Sequence, residues 1–208
     1  MRGNAPELII VYGGGTAAAY LVVRMLPWAV LPVILGIGAA SAVAMMRRGW
    51  SVRTALRWPP HPVPEVLRLL AIWLVAALAV GFITWWLLPE RRLWLPRSEP
   101  LKWSVLMVLY PFLSALPQEV MFRTWYFNRY EHLFGRVQSA VIVNGLVFGG
   151  AHVVMDNWVA VAATVPLGWL LGWTYARTRS LSLVWIEHTL YGVLIFTVGP
   201  GLFFMPVA

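Results

Sequence analysis

The chain has no cysteine among its 208 residues, so disulfides, thiolate catalysis and Cys-based metal sites are excluded, and the redox compartment leaves no mark. Charge is also scarce. Asp, Glu, Lys and Arg make up 12% of residues against 60% hydrophobic, with a mean hydropathy of +0.72, whereas a soluble domain is about 45–50% apolar. That balance excludes a soluble globular protein and points to an integral membrane one. No internal repeat or low-complexity tract is present, and the polar stretches leave no room for a soluble domain. The net charge of +8 does not indicate nucleic-acid binding. Its Lys and Arg residues fall between apolar runs, as flanking charges of membrane helices do, and no basic stripe with interleaved aromatics exists. The N-terminal run has one early Arg but is too long for a signal-peptide core and shows no cleavage site, so it is expected to be retained.

What is there is a series of apolar segments, each near the ~20 residues a helix needs to cross the hydrocarbon. They run about Ala5 to Val23, Leu26 to Met46, Val66 to Leu88, Trp103 to Trp125, Arg136 to Val154, Trp158 to Ala176 and Leu181 to Phe204. The expected fold is an all-α polytopic membrane helix bundle of about seven transmembrane helices, forming a single domain over 1–208 with the motif-bearing core at about 103–200. Thirteen Trp supply interfacial anchors. Placing the N-terminus and the loops after the second, fourth and sixth segments on one side gathers ten cations there against five on the other. The positive-inside rule then puts the N-terminus, with Arg2, in the cytoplasm and the C-terminal "GPGLFFMPVA" outside. The expected setting is a cell inner membrane.

Against that background a few residues are expensive. Gln118, Glu119, Arg123, Asn144, His152, Asp156, Glu187 and His188 all fall within or at the ends of apolar segments. Insertion of a charged one costs about 2.5–3.5 kcal/mol, so such groups are there for each other or for chemistry. Glu119 and Arg123 stand four apart, carboxylate first, and are expected to pair on one helical face. Gln118 points about 100° away. Pro117 is expected to break the helix just before the pair, freeing backbone groups and making room. In the fifth segment Asn144, Phe148, His152 and Asp156 recur every fourth residue. Asp156 is expected to accept the His152 ring N–H, Phe148 to lie against the ring, and Gly149 with Gly150 to admit another helix. His188 follows Glu187 on the last segment, with Tyr191 nearly one turn on. A carboxylate base with imidazoles that orient water and stabilise an oxyanion suits water activation without a nucleophilic side chain. Gln118, Glu119, His152 and His188 are therefore expected around one cavity.

"QEVMFR", "FGGAH" and "HTLYG", in this order on successive helices, resemble the three motifs of the CAAX prenyl protease and bacteriocin-processing family of intramembrane proteases, EExxxR, FxxxH and HxxxN or a relaxed variant. The resemblance covers about Ser114 to Gly192. It implies a metal-independent glutamic-type peptidase, without cofactor, that cleaves near the terminus of a membrane-associated or lipid-modified protein substrate. The family's water-activating Glu falls on Gln118, its supporting Glu on Glu119, its Arg on Arg123 and its histidines on His152 and His188. Two positions depart from the pattern. Gln118 has an amide, which cannot take a proton from water, so the chain is expected to be inactive or impaired. An inactivating substitution that keeps substrate bound is the favoured explanation; a pseudo-protease, or a variant in which Glu119 is the base, are the alternatives. Gly192 replaces the Asn that helps hold the oxyanion, with Asn144 and Tyr191 as candidate substitutes. Two other readings stand beside this one. His152, His188 and one carboxylate would supply three ligands to a catalytic zinc, although no HExxH spacing occurs. A non-catalytic membrane adaptor would use the same polar cluster only to bind.

Overall fold

The computed structural model describes residues 3–205, so Arg2 and the last three residues of the C-terminal segment lie outside the described residues. Seven helices are long and apolar enough to cross a membrane: α1 Ala5–Met25, α2 Pro27–Met46, α3 Pro62–Leu87, α4 Pro100–Leu133, α5 Val137–Met155, α6 Trp158–Thr178 and α7 Leu181–Val198. The described residues contain no strand. In hydrocarbon every backbone polar group must be satisfied within the segment, and a helix does this residue by residue.

The ends of these helices follow local chemistry. Prolines open α2, α3 and α4, where a missing N–H costs nothing because the first-turn donors have no partner. Asn157 and Ser180 cap α6 and α7 by accepting from the backbone N–H groups of Val159 and Leu183. Asp156 and Arg179 take left-handed backbone conformations, each with φ of 52°, and so end the preceding turn. At Gly199 φ is +146° and a Cβ would run into the Arg91 carbonyl, so α7 stops at Val198 instead of continuing to Phe204. In the other direction α4 extends to Leu133, beyond the expected Trp125, because the buried Tyr126, Phe127 and Tyr130 carry it into the core.

Burial separates two kinds of helix. In α3 only Leu69 and Thr84 are buried, and Leu74, Val75, Leu78, Phe82 and Trp86 point outward, as a lipid-facing helix requires. Its neighbour α7 buries nine residues, among them Glu187 and His188. Between α5 and α6 the backbones approach closely: a Cβ on Gly168 would come within 2.9 Å of the Gly145 Cα, and a Cβ on Gly149 would meet Val165. Small residues at these positions let van der Waals contact do in lipid what the hydrophobic effect does in water. Gly150, in contrast, faces open space and admits no helix.

The core proper is aromatic. Tyr12 of α1 meets Phe122, Tyr126 and Tyr130 of α4 with ring centroids 5.6–6.1 Å apart, and its hydroxyl donates to the Met121 carbonyl at 2.8 Å. The two ends of α1 are tied down separately. Glu7 pairs with Arg129 and accepts from the Tyr130 hydroxyl, while Arg24 pairs with Asp156 at 2.6 Å.

Helix α4 is continuous through Pro117, contrary to the expected break. Two wide π-helical turns, Pro111–Ala115 and Val120–Trp125, flank the α-helical Leu116–Glu119. The wider turns relieve the collision of the proline ring with the carbonyl four residues back, so the chain bends its hydrogen-bond ladder instead of interrupting it. The Pro111 carbonyl, freed from the ordinary α pattern, accepts from the Trp185 indole N–H at 2.6 Å and fastens α4 to α7. Against Pro117 itself lies Gly38 of α2, where a Cβ would be only 2.6 Å from the proline Cβ.

Candidate active site

The π-turns rotate successive polar side chains of α4 into different surroundings. Glu119 and Arg123, both fully buried, pair at 3.2 Å between Oε2 and Nε. The Arg123 guanidinium also donates from Nη1 to the Asn144 Oδ1 at 2.6 Å and lies over the Phe148 ring, 4.6 Å from its centroid. Asn144 completes the link by donating to the Phe122 carbonyl at 2.7 Å. Its amide thus belongs to the α4–α5 seam, with oxygen and nitrogen both hydrogen-bonded there, and Asn144 does not line the cavity described below.

The other carboxylate oxygen of Glu119 does something the sequence did not suggest. Oε1 accepts from the His188 Nδ1–H at 2.7 Å, with both side chains almost wholly buried. A carboxylate only accepts, so Nδ1 carries the proton of this bond and Nε2 is left without a partner among the described residues. His152 reaches the same tautomer by another route. Its Nδ1–H donates to the Phe148 carbonyl at 2.8 Å, and not to Asp156. The expected His152–Asp156 pair fails because α5 gives way to a tight 3₁₀ turn over His152–Met155, which carries Asp156 off the stripe to Arg24 and Tyr20. Phe148 does lie against His152, with centroids 4.8 Å apart, and its other ring neighbour is His188 at 5.6 Å.

Gln118, His152, His188 and Tyr191 line one cavity of about 1270 Å³, walled otherwise mostly by aliphatic and aromatic side chains of α1, α2, α4, α6 and α7. Glu119 does not line it, because its carboxylate stands behind His188, held by Arg123. Glu187 is also buried and away from the cavity, with Oε2 making no hydrogen bond among the described residues. Gln118 donates from Nε2 to the Ser114 hydroxyl at 2.9 Å, leaving its carbonyl oxygen for whatever enters. Ser114 was legible only as an i−4 neighbour of Gln118.

No group of three or more His, Cys, Asp or Glu capable of holding a metal ion occurs among the described residues. A zinc reading needs a carboxylate ligand on the cavity, and Glu119 stands behind the wall with Oε1 bonded to the Nδ1 of His188 and Oε2 in ion-pair contact with Arg123. What the arrangement can do is hold a water: two imidazoles with Nε2 unpartnered among the described residues and one amide stand on a mostly apolar wall.

A polytopic all-α membrane protein with a polar site let into a largely apolar cavity is the class these observations define. A likeness to a family follows from comparison. Residues 100–194 match the family model described as Rce1-like, type II CAAX prenyl endopeptidase, which supports the resemblance to the CAAX prenyl proteases and indicates a protease. No curated protein and no solved structure matched the chain.

Proposed function

We propose that the chain is an intramembrane endopeptidase that hydrolyses a peptide bond near the terminus of a membrane-associated or lipid-modified protein. Its catalytic core is residues 103–200, and it sits in a cell inner membrane with the N-terminus cytoplasmic, as the cation distribution supports. The observation that carries this reading is the Glu119–His188 hydrogen bond of 2.7 Å, set behind the cavity wall that His188 shares with Gln118 and His152.

In this reading the buried carboxylate fixes the tautomer of His188 and stabilises the imidazolium formed when Nε2 takes a proton from water. His152, fixed by the Phe148 carbonyl, orients the same water from its own place on the cavity wall. Gln118 occupies the position where the family has its leading Glu. Its amide orients water but accepts no proton, so the chain as it stands cleaves slowly through His188 alone.

The test is cleavage of a prenylated CAAX reporter peptide by the purified protein in proteoliposomes, read by mass spectrometry. Gln118→Glu is expected to raise the rate on the order of 10²-fold by adding a general base at the wall. Chelators are expected to leave it unchanged. Binding of the reporter with no cleavage by either form would instead identify a non-catalytic adaptor, and loss on chelation with recovery on adding zinc would identify a metal enzyme.

A further inference from the structure

Gly192 lies one turn beyond His188 on the same face of α7, in the wall of the cavity. The space its side chain would take is not empty. A Cβ built there falls into the Tyr110 ring, closest to Cε1, Cζ and Oη. Tyr110 is held in this place from both sides, with its ring edge-on to His188 at 6.0 Å and to Phe196 at 5.5 Å, so that it lies along the 188, 192, 196 stripe of α7. The π-turn that begins at Pro111 and its anchor to the Trp185 indole fix the backbone just after it. Its hydroxyl makes no hydrogen bond among the described residues, and the residue lines the cavity beside His188 and Gln118. An unpartnered O–H donor is thus presented where α7 offers no side chain of its own.

We infer that Tyr110 is a further catalytic residue, whose phenolic O–H donates to the oxyanion of the tetrahedral intermediate from the space left by Gly192. The role rests on the protease reading above. Water attacks the scissile carbonyl carbon, a C–O bond forms, the carbonyl π pair moves to oxygen, and the water proton passes to His188 Nε2. Tyr110 donates a hydrogen bond to that oxygen without giving up its proton. Collapse re-forms the carbonyl, breaks the C–N bond, and returns the proton from His188 to the leaving amine. A preorganised donor of this kind acts where the charge develops and is felt in kcat. Tyr191, whose hydroxyl is also unpartnered, neighbours Gly192 in sequence but points about 100° away round α7.

The experiment compares the parent, Tyr110→Phe, Tyr110→Ala and Tyr110→Ala/Gly192→Asn, each with and without Gln118→Glu, on the prenylated reporter. Phe keeps the ring between His188 and Phe196, so a structural role alone would leave its rate unchanged. Tyr110→Phe is expected to lower kcat by about 10²–10³-fold with KM unaltered. Tyr110→Ala/Gly192→Asn, which clears the ring and supplies an amide donor, is expected to recover at least about tenfold over Tyr110→Ala. An undiminished kcat in Tyr110→Phe, or a change confined to KM, overturns the role of Tyr110 and leaves the protease reading standing. Absence of cleavage by the parent and by Gln118→Glu overturns the protease reading and this role with it.

Discussion

The two histidines of the cavity reach the same tautomer from opposite sides by different means. On the α4–α7 side His188 is held by a buried carboxylate that is itself held by Arg123, and Arg123 in turn by Asn144. On the α5 side His152 is held by the backbone carbonyl of Phe148, one turn earlier in its own helix. A carbonyl dipole fixes a ring without adding charge. A carboxylate fixes it and also stabilises the imidazolium, so the two imidazoles are suited to different tasks, proton transfer at His188 and orientation at His152.

Substitutions can break this contrast in order of size. His188→Ala in the Gln118→Glu background is expected to reduce cleavage by about 10²–10⁴-fold, and His152→Ala by about 10²-fold, neither lowering expression. Equal losses, measured as kcat on the prenylated reporter, would erase the distinction between proton transfer and orientation. Arg123→Ala leaves Glu119 charged and buried with only an imidazole beside it, and is expected to destabilise the protein by about 3–5 kcal/mol, read as a lowered unfolding midpoint in detergent. At the far end of the scale, Asp156→Asn removes the exposed pair with Arg24, where both side chains are about half accessible. It is expected to change stability by less than about 1 kcal/mol and to leave His152 in place, because the histidine is tied to Phe148 and not to Asp156.

The difference between the two sides also explains what the sequence could and could not convey. Interactions within one helix were readable from spacing: Glu119 and Arg123 at i,i+4 do pair, and Phe148 does lie under His152. The seven apolar segments were readable because hydrocarbon demands unbroken helices of that length. Spacing failed where the helix departed from 3.6 residues per turn. The π-turns around Leu116–Glu119 absorbed Pro117, and the 3₁₀ turn after Ala151 took Asp156 off its stripe. It was silent about contacts between helices distant in sequence. Residue types and motif order gathered Glu119 and His188 round one site, but nothing in them gave the bond between the two, 69 positions apart, or put Tyr110 in the side-chain space of Gly192. Those depend on how α4 and α7 are rotated against each other, which is set by the Trp185–Pro111 bond and by the small residue at 192.

The central claim is that Glu119 acts through His188, from behind the wall of the cavity, and not on water directly. Single-turnover cleavage of the prenylated reporter by the parent and by Glu119→Gln, with reporter binding and thermal unfolding recorded on the same preparations, tests it most directly. The account predicts slow but measurable cleavage by the parent, and a further loss of at least about 10²-fold in Glu119→Gln with binding retained. Cleavage by Glu119→Gln at the parent's rate, in protein that remains folded and binds the reporter, would contradict it.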